Sequence, residues 1–509
     1  MSFLSEIRER RLNMKKLGFL FGAGAEISYG MPSGGKFALD IFRHSTQDSK
    51  NTLRDMRSKI DTSSAYATNW LPEDFESKSI SSFGQRVFDS IIKSTIGNNR
   101  SAIIQKLGDF DRLAESAINK VYADDNKYMK VVETDLHKNF SDINISQKLS
   151  YNAIFHEGDT LFKSRTFSIL LTYYDKYVFD NEDEKLLFKN IIVSIFQLQL
   201  GALSENVSRN IEESLFNKNS LNLDFFDDLG GTINVNYDMA GISGLKILAE
   251  KDFTSINHHI VKLSYAILEN IYSDILDYKS LIDSNWHYLY NPKNEWAKFS
   301  KIVVFLYTVR DYILKQAKDL DENKDGYYND IQKIQEAENF EITTIGTTNY
   351  SPFIEKIIKH DIKFLNGGTS IYYDPYLNSI VREDETNNHF VVPLLFTQSG
   401  TKPMTSIDMS EKYVDFYHEL LDSDVVVVIG FGFNSDDEHI NGIFRQLINK
   451  HDKTIYIVDT DTSSEMNKKN KIQAKLKIET TTNINFVTIN PEDRKSDGDE
   501  MWYKKIKVV

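Results

Sequence analysis

The 509-residue sequence contains no cysteine at all. This absence excludes disulfides, cysteine nucleophiles and every zinc site built from thiolates. Proline is also scarce, with 8 in the whole chain, and none lies between Pro72 and Pro292. Because proline interrupts helices, and because apolar residues recur there at spacings of three and four, this stretch is predicted to be mostly helical.

Positive charge is in deficit, with a net charge of -14, so direct binding to nucleic acid is not expected. The lysine-rich stretch 468–477 is predicted to be a solvated surface. No apolar run reaches the roughly 18 residues of a membrane span, and the most apolar window, residues 186–203, is predicted to be a buried helix. The charged N-terminus lacks the apolar centre of a secretory signal, so we expect a cytoplasmic protein without a membrane anchor.

Two parts of the chain are typical of a parallel sheet. The run KLGFLF at residues 16–21 is short, apolar and bounded by glycine, as buried parallel strands are. After residue 340, similar runs alternate with helical segments, which predicts βαβ units. The first strand has no partner strand nearby, so it is expected to join the later ones. We therefore predict an α/β Rossmann-like fold, formed by residues 1–44 and 340–509 and interrupted by a helical insertion over residues 45–339.

The first strand ends in a glycine turn, FGAGAE, which leads into a helix. Glycines let a backbone approach a phosphate closely, and a helix N-terminus offers amide donors. Ile27 stands where the dinucleotide fingerprint has its third glycine, so an ordinary dehydrogenase is not supported. A turn that serves only for packing is the alternative interpretation. The candidate cofactor-binding residues here are Gly22, Ala23, Gly24, Ala25 and Glu26.

The longer segment over residues 22–42, GAGAEISYGMPSGGKFALDIF, resembles the GAG-x-S and G-I-P opening of sirtuin-like domains. Gly30 and Pro32 belong to this match, whereas Glu26 stands where the family has serine. A second block, ITTIGTTNYSPFIEKI at residues 342–357, is similar to the T-x-N segment of sirtuins, whose asparagine lies beside the nicotinamide ribose. The resemblance implies a catalytic role for Asn349 and cofactor binding by Thr348.

A third block, DVVVVIGFGFNSDDEHINGIF at residues 424–444, looks like the sirtuin strand and turn that hold ribose and phosphates. It implies cofactor contacts from Gly430, Gly432 and Asn434, although Asn434 or a neighbour can also act as a helix N-cap. The next strand, TIYIVDTD, has Asp459 at its carboxyl end, where nucleotide-binding sheets often contact the adenosine.

One family feature is missing. In sirtuins, a histidine in an L-H-G segment contacts the ribose and can act as a base, but the matching segment here is FLNGGTS, with Asn366 in that position. Asparagine can retain a hydrogen bond but cannot accept a proton. Three alternatives follow: water attacks without a side-chain base, His389 supplies the base, or catalysis is lost.

The three blocks together resemble bacterial sirtuin-like NAD-consuming proteins of anti-phage defence. The resemblance implies an NAD glycohydrolase that cleaves NAD to nicotinamide and ADP-ribose and acts by abortive infection. Sirtuin deacetylases carry a four-cysteine zinc module that this chain lacks, so water is the expected acceptor and no metal is expected. Expected partners are NAD, further copies of the chain, and a partner ATPase or phage-derived trigger. The alternative is a non-catalytic sensor of NAD or ADP-ribose.

Two acidic segments are predicted as polar loops. DLDENKDGYYND at residues 319–330 spaces its acidic residues like a calcium loop, but Gln332 replaces the glutamate that such loops require. A polar turn between helices is therefore the favoured interpretation. NPEDRKSDGDEM at residues 490–501 is predicted to be a surface loop.

Overall fold

The computed structural model describes residues 14–32, 34–143, 161, 164–202, 237–251, 253–273, 276, 279–336, 340–381, 388–395 and 406–506. The chain divides into two compact units. The sheet unit comprises Met1–Ser33, His44–Phe83 and Lys279–Val509, and the helical unit comprises Gly34–Arg43 and Gly84–Tyr278.

The strands are β1 (Lys15–Phe21), β2 (Phe340–Thr347), β3 (Ile362–Phe364), β4 (Gly367–Asp374), β5 (Ser379–Val381), β6 (Val392–Leu395), β7 (Val425–Ile429), β8 (Thr454–Asp459), β9 (Ile484–Thr488), β10 (Lys495–Ser496) and β11 (Glu500–Met501). The first helices are α1 (Ala23–Ile27), α2 (Gly34–Arg43), α3 (Gln47–Ser58), α4 (Ala65–Trp70), α5 (Gln85–Asn98), α6 (Arg100–Gly108), α7 (Phe110–Tyr122), α8 (Asp125–Leu136), α9 (Arg165–Lys176) and α10 (Glu182–Ala202). The later helices are α11 (Tyr237–Glu250), α12 (His259–Ser273), α13 (Lys279–Asn285), α14 (Pro292–Lys318), α15 (Tyr327–Glu336), α16 (Phe353–Ile357), α17 (Ile407–Asp422), α18 (Glu438–His451) and α19 (Glu465–Leu476).

Within the described residues, six parallel strands form the main sheet in the order β3-β2-β1-β7-β8-β9. Numbered by their place in the chain, these strands lie in the order 3-2-1-4-5-6, the order typical of Rossmann-like sheets. β1 pairs with β2 on one side and β7 on the other. The predictions of a parallel α/β fold, and of a first strand that joins the later ones, are therefore confirmed.

Alternate residues of the central strands point to opposite faces of this sheet, as the two-residue period of a strand requires. Phe19 and Phe21 of β1 pack in one buried cluster with helices α15 and α16. Leu20 packs on the other face, in a cluster with α17 and α18. Both faces are covered, and this is why β1 and β7 consist of continuous apolar runs rather than alternating ones.

A smaller antiparallel sheet in the sheet unit is formed by β5, β4 and β6. Only two residues separate its central strand, β4, from the end of β3, so β4 starts beside the carboxyl edge of the main sheet. The segment after β2 therefore supplies both the end of the main sheet and a second layer next to it.

The helical unit has its own core. Helix α10 is 21 residues long, and Leu187, Ile191 and Leu198 are among its buried residues, so the predicted buried helix is confirmed there. Leu186 is exposed, and residue 203 lies outside the described residues. Asp111 accepts hydrogen bonds at the start of α9 from the backbone nitrogen of Thr166, at 2.8 Å, and from the hydroxyl of Ser164, at 2.8 Å.

In the described part of the chain, no helix is both long enough and apolar enough to cross a membrane.

The described parts of residues 45–339 contain helices as their regular elements. The compact units, however, assign residues 44–83 and 279–339 to the sheet unit. Helices α3 and α14 are therefore part of the structure that carries the sheet. That residues 45–339 are an insertion into a sirtuin-type domain stays a prediction.

The two acidic segments are not simply exposed loops. Asp330, in α15, is fully buried and accepts hydrogen bonds from Arg494 and from the indole nitrogen of Trp502, the latter at 2.8 Å. Arg494 also pairs with Asp325 at 2.9 Å. The prediction of a surface loop over residues 490–501 is wrong at Arg494, because a partner distant in the chain neutralises its charge within the core.

Candidate functional site

The predicted site residues converge at the carboxyl edge of the main sheet. Phe21 is in register with Thr347 of β2 and Ile429 of β7, and Ile429 is in register with Val458 of β8. The residues that follow these four form one row: Thr348, Gly22, Gly430 and Asp459. Since neighbouring strands lie about 4.8 Å apart, the row from β2 to β8 spans about 14 Å.

The chain adds β2 and β3 on one side of β1 and then crosses to β7 on the other side. The switch point, where open α/β sheets bind ligands, therefore lies between β1 and β7. The two glycine turns meet there. The amide of Gly22 donates to the carbonyl of Ile429 at 2.9 Å, and the amide of Gly24 donates to the carbonyl of Gly430 at 3.0 Å. The amide of Thr348 donates to the carbonyl of Phe21 at 2.9 Å. This bond joins the turn that follows β2 to the glycine turn that follows β1.

Mutual packing accounts for three of the glycines. A Cβ on Gly22 would lie 2.5 Å from the carbonyl oxygen of Gly430, and one on Gly24 would lie 2.8 Å from the Cα of Gly430. Gly430 itself has a φ of +67°, and its Cβ would lie 2.4 Å from the amide nitrogen of Ala25. These residues are glycine because the turns touch, so their presence does not by itself indicate a phosphate.

Gly432 differs from the other glycines of the turns. It is exposed, and the atoms nearest to a Cβ there belong to the side chain of Asn434, at 3.4 Å, which is an ordinary contact. Packing therefore gives no reason for this glycine, whereas the close approach of a ligand would. Asn434 follows in an extended conformation, and its backbone carbonyl accepts a hydrogen bond from the side-chain nitrogen of Asn441 at 2.8 Å.

The segment after the first turn is fixed by its backbone. Ala23 is exposed at the start of α1, while Ala25 and Glu26 are buried. Gly30 has a φ of +114°, a conformation that favours glycine, and this residue ends the turn after α1. Pro32 follows and is half-buried.

Asn349 is held rigidly against the first turn. Its side-chain nitrogen donates to the carbonyl of Gly22 at 3.1 Å and to the hydroxyl of Tyr328 at 3.3 Å. Its own amide donates to the hydroxyl of Thr347 at 3.1 Å. With the nitrogen committed to these partners, the orientation of the amide group is defined, and its oxygen is directed away from Gly22.

Glu26 lies behind this asparagine and is 3% exposed. The hydroxyl of Tyr328 donates to Glu26 at 3.1 Å. Burial raises the pKa of Glu26 to about 8, although hydrogen bonds with Tyr328, Asn349 and Ser351 oppose the shift. Burial also raises the pKa of Tyr328 well above its ordinary value, so this tyrosine stays protonated and remains a donor. At neutral pH the buried side chains packed against Asn349 are therefore polar but largely uncharged.

Asn366 lies two residues beyond β3, just as Asn349 lies two residues beyond β2, and β2 and β3 end in register. Asn366 is 1% exposed, and its side-chain oxygen is 3.1 Å from Nε2 of His439 in α18. Tyr413 packs edge-on against that imidazole and donates to the carbonyl of Leu365. The position where sirtuins carry a histidine is therefore occupied here by an asparagine that is paired with a histidine from another element.

His389 lies elsewhere in the sheet unit. Its Nδ1 is 2.7 Å from a carboxylate oxygen of Asp374, which is 1% exposed at the end of β4. Its ring stacks on Tyr66 with a centroid separation of 3.9 Å and lies near Tyr376. These contacts connect β4 to α4 and to the loop before β6, and they do not bring His389 to the glycine turns.

Asp459 closes the row at β8 and is partly exposed. Its carboxylate accepts a hydrogen bond from Nζ of Lys468, in α19, at 2.7 Å, and the same ammonium group donates to the hydroxyl of Thr488 at 2.6 Å. Burial raises the pKa of Asp459, and the nearby ammonium opposes that shift. Lys468 is 4% exposed, so the prediction of a solvated lysine stretch is wrong for this residue.

Sequence reasoning did not find four polar residues of this edge. Tyr328 and Ser351 flank Glu26, His439 pairs with Asn366, and Lys468 pairs with Asp459. Of these four, only Lys468 could have been found from the sequence. It lies nine residues after Asp459, the aspartate that ends β8, in the helix that follows that strand. The other contacts join segments far apart in the chain.

No model of a known protein family matches the chain, and no curated protein matches it.

Proposed function

We propose that this protein is an NAD glycohydrolase that cleaves NAD to nicotinamide and ADP-ribose, with Asn349 as its catalytic residue. The observation that carries the proposal is the meeting of three turns at the switch point of the sheet, with the amide of Asn349 fixed against Gly22. The resemblance of the same three turns to sirtuin-like domains specifies the substrate.

The chemistry suits an uncharged site. Nicotinamide leaves as a neutral molecule when the electron pair of its bond to the ribose moves to the pyridinium nitrogen, and the ribose passes through an oxocarbenium-like state. Such a reaction depends on positioning more than on strong acid catalysis. The oxygen of Asn349 would accept a hydrogen bond from a ribose hydroxyl or the attacking water without adding charge.

Water then forms the new bond at the anomeric carbon and gives up one proton. Neither Asn349 nor Asn366 can accept it. The imidazole of His439, whose Nε2 lies 3.1 Å from the side-chain oxygen of Asn366, is one group at this edge that could. The alternative is attack by water without a side-chain base, because the contacts of His389 with Asp374 and Tyr66 do not bring it to the glycine turns.

The test is release of nicotinamide from NAD by the purified protein. We expect Asn349→Ala to lower turnover by about 100-fold or more, a loss typical of removing one positioned polar group from a transition state, with the circular dichroism spectrum unchanged. Asn119→Ala, on an exposed face of α7, is the matched control and should keep full activity. Equal, measurable turnover of wild type and Asn349→Ala would exclude the assigned role, and a wild type that is inactive with every trigger added would count against the hydrolase.

The resemblance also supports a setting for the reaction. We propose that the enzyme is a homo-oligomeric effector of anti-phage defence, restrained until a phage-derived protein or a partner ATPase releases it, and that it acts by depleting NAD. Cells expressing the wild type should lose NAD after infection, and cells expressing Asn349→Ala should not. Unchanged NAD under infection by a phage that the protein restricts would contradict this.

A second candidate is favoured by one observation, the asparagine at position 366 in place of the family's histidine. In this function the site binds NAD or ADP-ribose without turnover and drives assembly of a defence complex. Calorimetry that detects saturable binding, together with no nicotinamide release from the assembled protein, would favour it over hydrolysis.

A further inference from the structure

The helical unit contains a cavity of about 520 Å³ between α6, α7 and α12. This volume lies within the range of ligand pockets in proteins, roughly 300 to 1,000 Å³. Of the described residues that line it, Ala102 and Leu113 are apolar, none is aromatic, and the others are charged or polar. The cavity therefore suits a hydrophilic molecule, and these residues offer no ring on which a nucleobase could stack.

The charges of the lining set the sign of the ligand. Lys106 and Arg112 bring two positive charges against the one negative charge of Asp109, in a chain whose net charge is -14. Lys106 is half-buried, and burial lowers its pKa. An anion beside this ammonium group would offset the penalty that burial places on its charge. The lining therefore favours a ligand with negative charge.

Arg112 is available to the same anion. Its Nε lies 2.9 Å from a carboxylate oxygen of Asp109, three residues earlier in the chain. The two side chains are 79% and 57% exposed, so water screens this ion pair and makes it weak. The guanidinium group can therefore turn to a ligand in the cavity at small cost.

Uncharged hydrogen-bonding groups complete the lining. The side-chain nitrogen of Asn270 donates to the hydroxyl of Ser116 at 2.8 Å, which joins α12 to α7. The hydroxyl accepts this bond and keeps its own proton to donate. Gln105 is exposed beside Lys106 and has a side-chain amide that can also donate. An anionic group with several oxygens can use these donors together with the two cations.

We propose that this cavity binds a small hydrophilic anion, a phosphate or carboxylate group carried on a molecule the size of a sugar. Lys106 and Arg112 are its charged contacts, and Gln105 and Ser116 are its hydrogen-bond donors. All the residues of the site belong to the helical unit, so the inference does not depend on the function proposed for the main sheet.

The experiment is calorimetric titration of the full chain with ribose 5-phosphate, with gluconate and with uncharged ribose. We expect at least one of the two anions to bind saturably, and the one that binds more tightly identifies the anionic group. Ribose should bind at least about 10-fold more weakly, because it forms no charge-assisted hydrogen bond. Lys106→Met should weaken binding of the anion by about 10-fold or more, the loss typical of such a bond.

Asp109→Asn should act in the opposite direction. It removes the negative charge of the lining and releases Arg112, so binding of the anion should become about 3-fold tighter. Lys130→Met is the matched control for Lys106→Met. Lys130 is an exposed lysine of α8 in the same unit and is not among the residues that line the cavity, so its loss should leave the affinity nearly unchanged.

Hydrogen exchange of the backbone amides locates the bound anion, and we expect protection within residues 100–116. Thermal melting of each variant separates loss of binding from loss of the fold. If Lys106→Met does not fold, Arg112→Gln, which should weaken binding, and Asp109→Asn decide alone.

Failure of both anions to bind would overturn the inference, as would binding of ribose as tight as theirs. An affinity that neither Lys106→Met nor Asp109→Asn moves would also overturn it, and so would protection confined to the sheet unit. None of these results bears on cleavage of NAD, so the proposed function is tested separately.

Discussion

Replacing Glu26 with glutamine tests the buried carboxyl group that packs against Asn349. The carboxyl group is 3% exposed, and burial raises its pKa from 4.5 to about 8. In the unfolded chain this group loses its proton near pH 4.5, while in the folded protein it keeps the proton to about pH 8. Between these values the folded state binds more protons, so its stability falls as the pH rises.

The magnitude follows from the two pKa values. Each pH unit between them corresponds to about 1.4 kcal/mol, so Glu26 costs the wild type about 5 kcal/mol of unfolding free energy between pH 4.5 and pH 8. Glutamine has nearly the same shape, keeps an oxygen that can accept from Tyr328, and carries no titrating group. The variant should therefore gain stability relative to the wild type by about 1.4 kcal/mol for each pH unit in this window.

The assay is urea unfolding followed by circular dichroism at pH 5, 6, 7 and 8, with the difference between variant and wild type plotted against pH. Other titrating groups are common to both proteins and cancel in the difference. Glu411→Gln, at an exposed position of α17, is the control and should give a flat difference. A flat difference for Glu26→Gln as well would refute the assignment of a neutral buried carboxyl group.

Two further predictions concern the same edge of the sheet. Tyr328→Phe removes the hydroxyl that accepts a hydrogen bond from the side-chain nitrogen of Asn349 at 3.3 Å. Turnover of NAD should fall by about 10- to 100-fold because the side-chain amide loses its fixed direction, whereas the Kd for NAD should hardly change. An equal loss in turnover and in affinity would point to a binding role. Gly430→Ala forces a Cβ to 2.4 Å from a backbone nitrogen at a φ of +67° and should lower the unfolding free energy by about 2 kcal/mol or more. Its control is Gly442→Ala in α18, where a Cβ meets nothing within 4 Å; this change should stabilise the helix slightly, and similar melting temperatures for the two variants would contradict the contact between the turns.

The fold class could be predicted from local patterns. Short apolar runs bounded by glycine gave β1 and β7, and the change of period after residue 340 gave the alternation of strands and helices. Because parallel strands need crossover connections, a first strand without a nearby partner had to pair with a later one. The convergence of the turns at one edge followed from that pairing, since all parallel strands end on the same side.

The sequence by itself therefore determined the parallel sheet class and the candidate turns, and its resemblance to sirtuins led to the choice of Asn349. Only the tertiary structure decided which side chains surround them. Tyr328 reaches Glu26 from a helix 302 residues away in the chain, and His439 reaches Asn366 across 73 residues. Local periodicity reports which face of an element is buried, but it carries no information about which distant group that face will meet, and burial and charge pairing at this edge depend on such meetings.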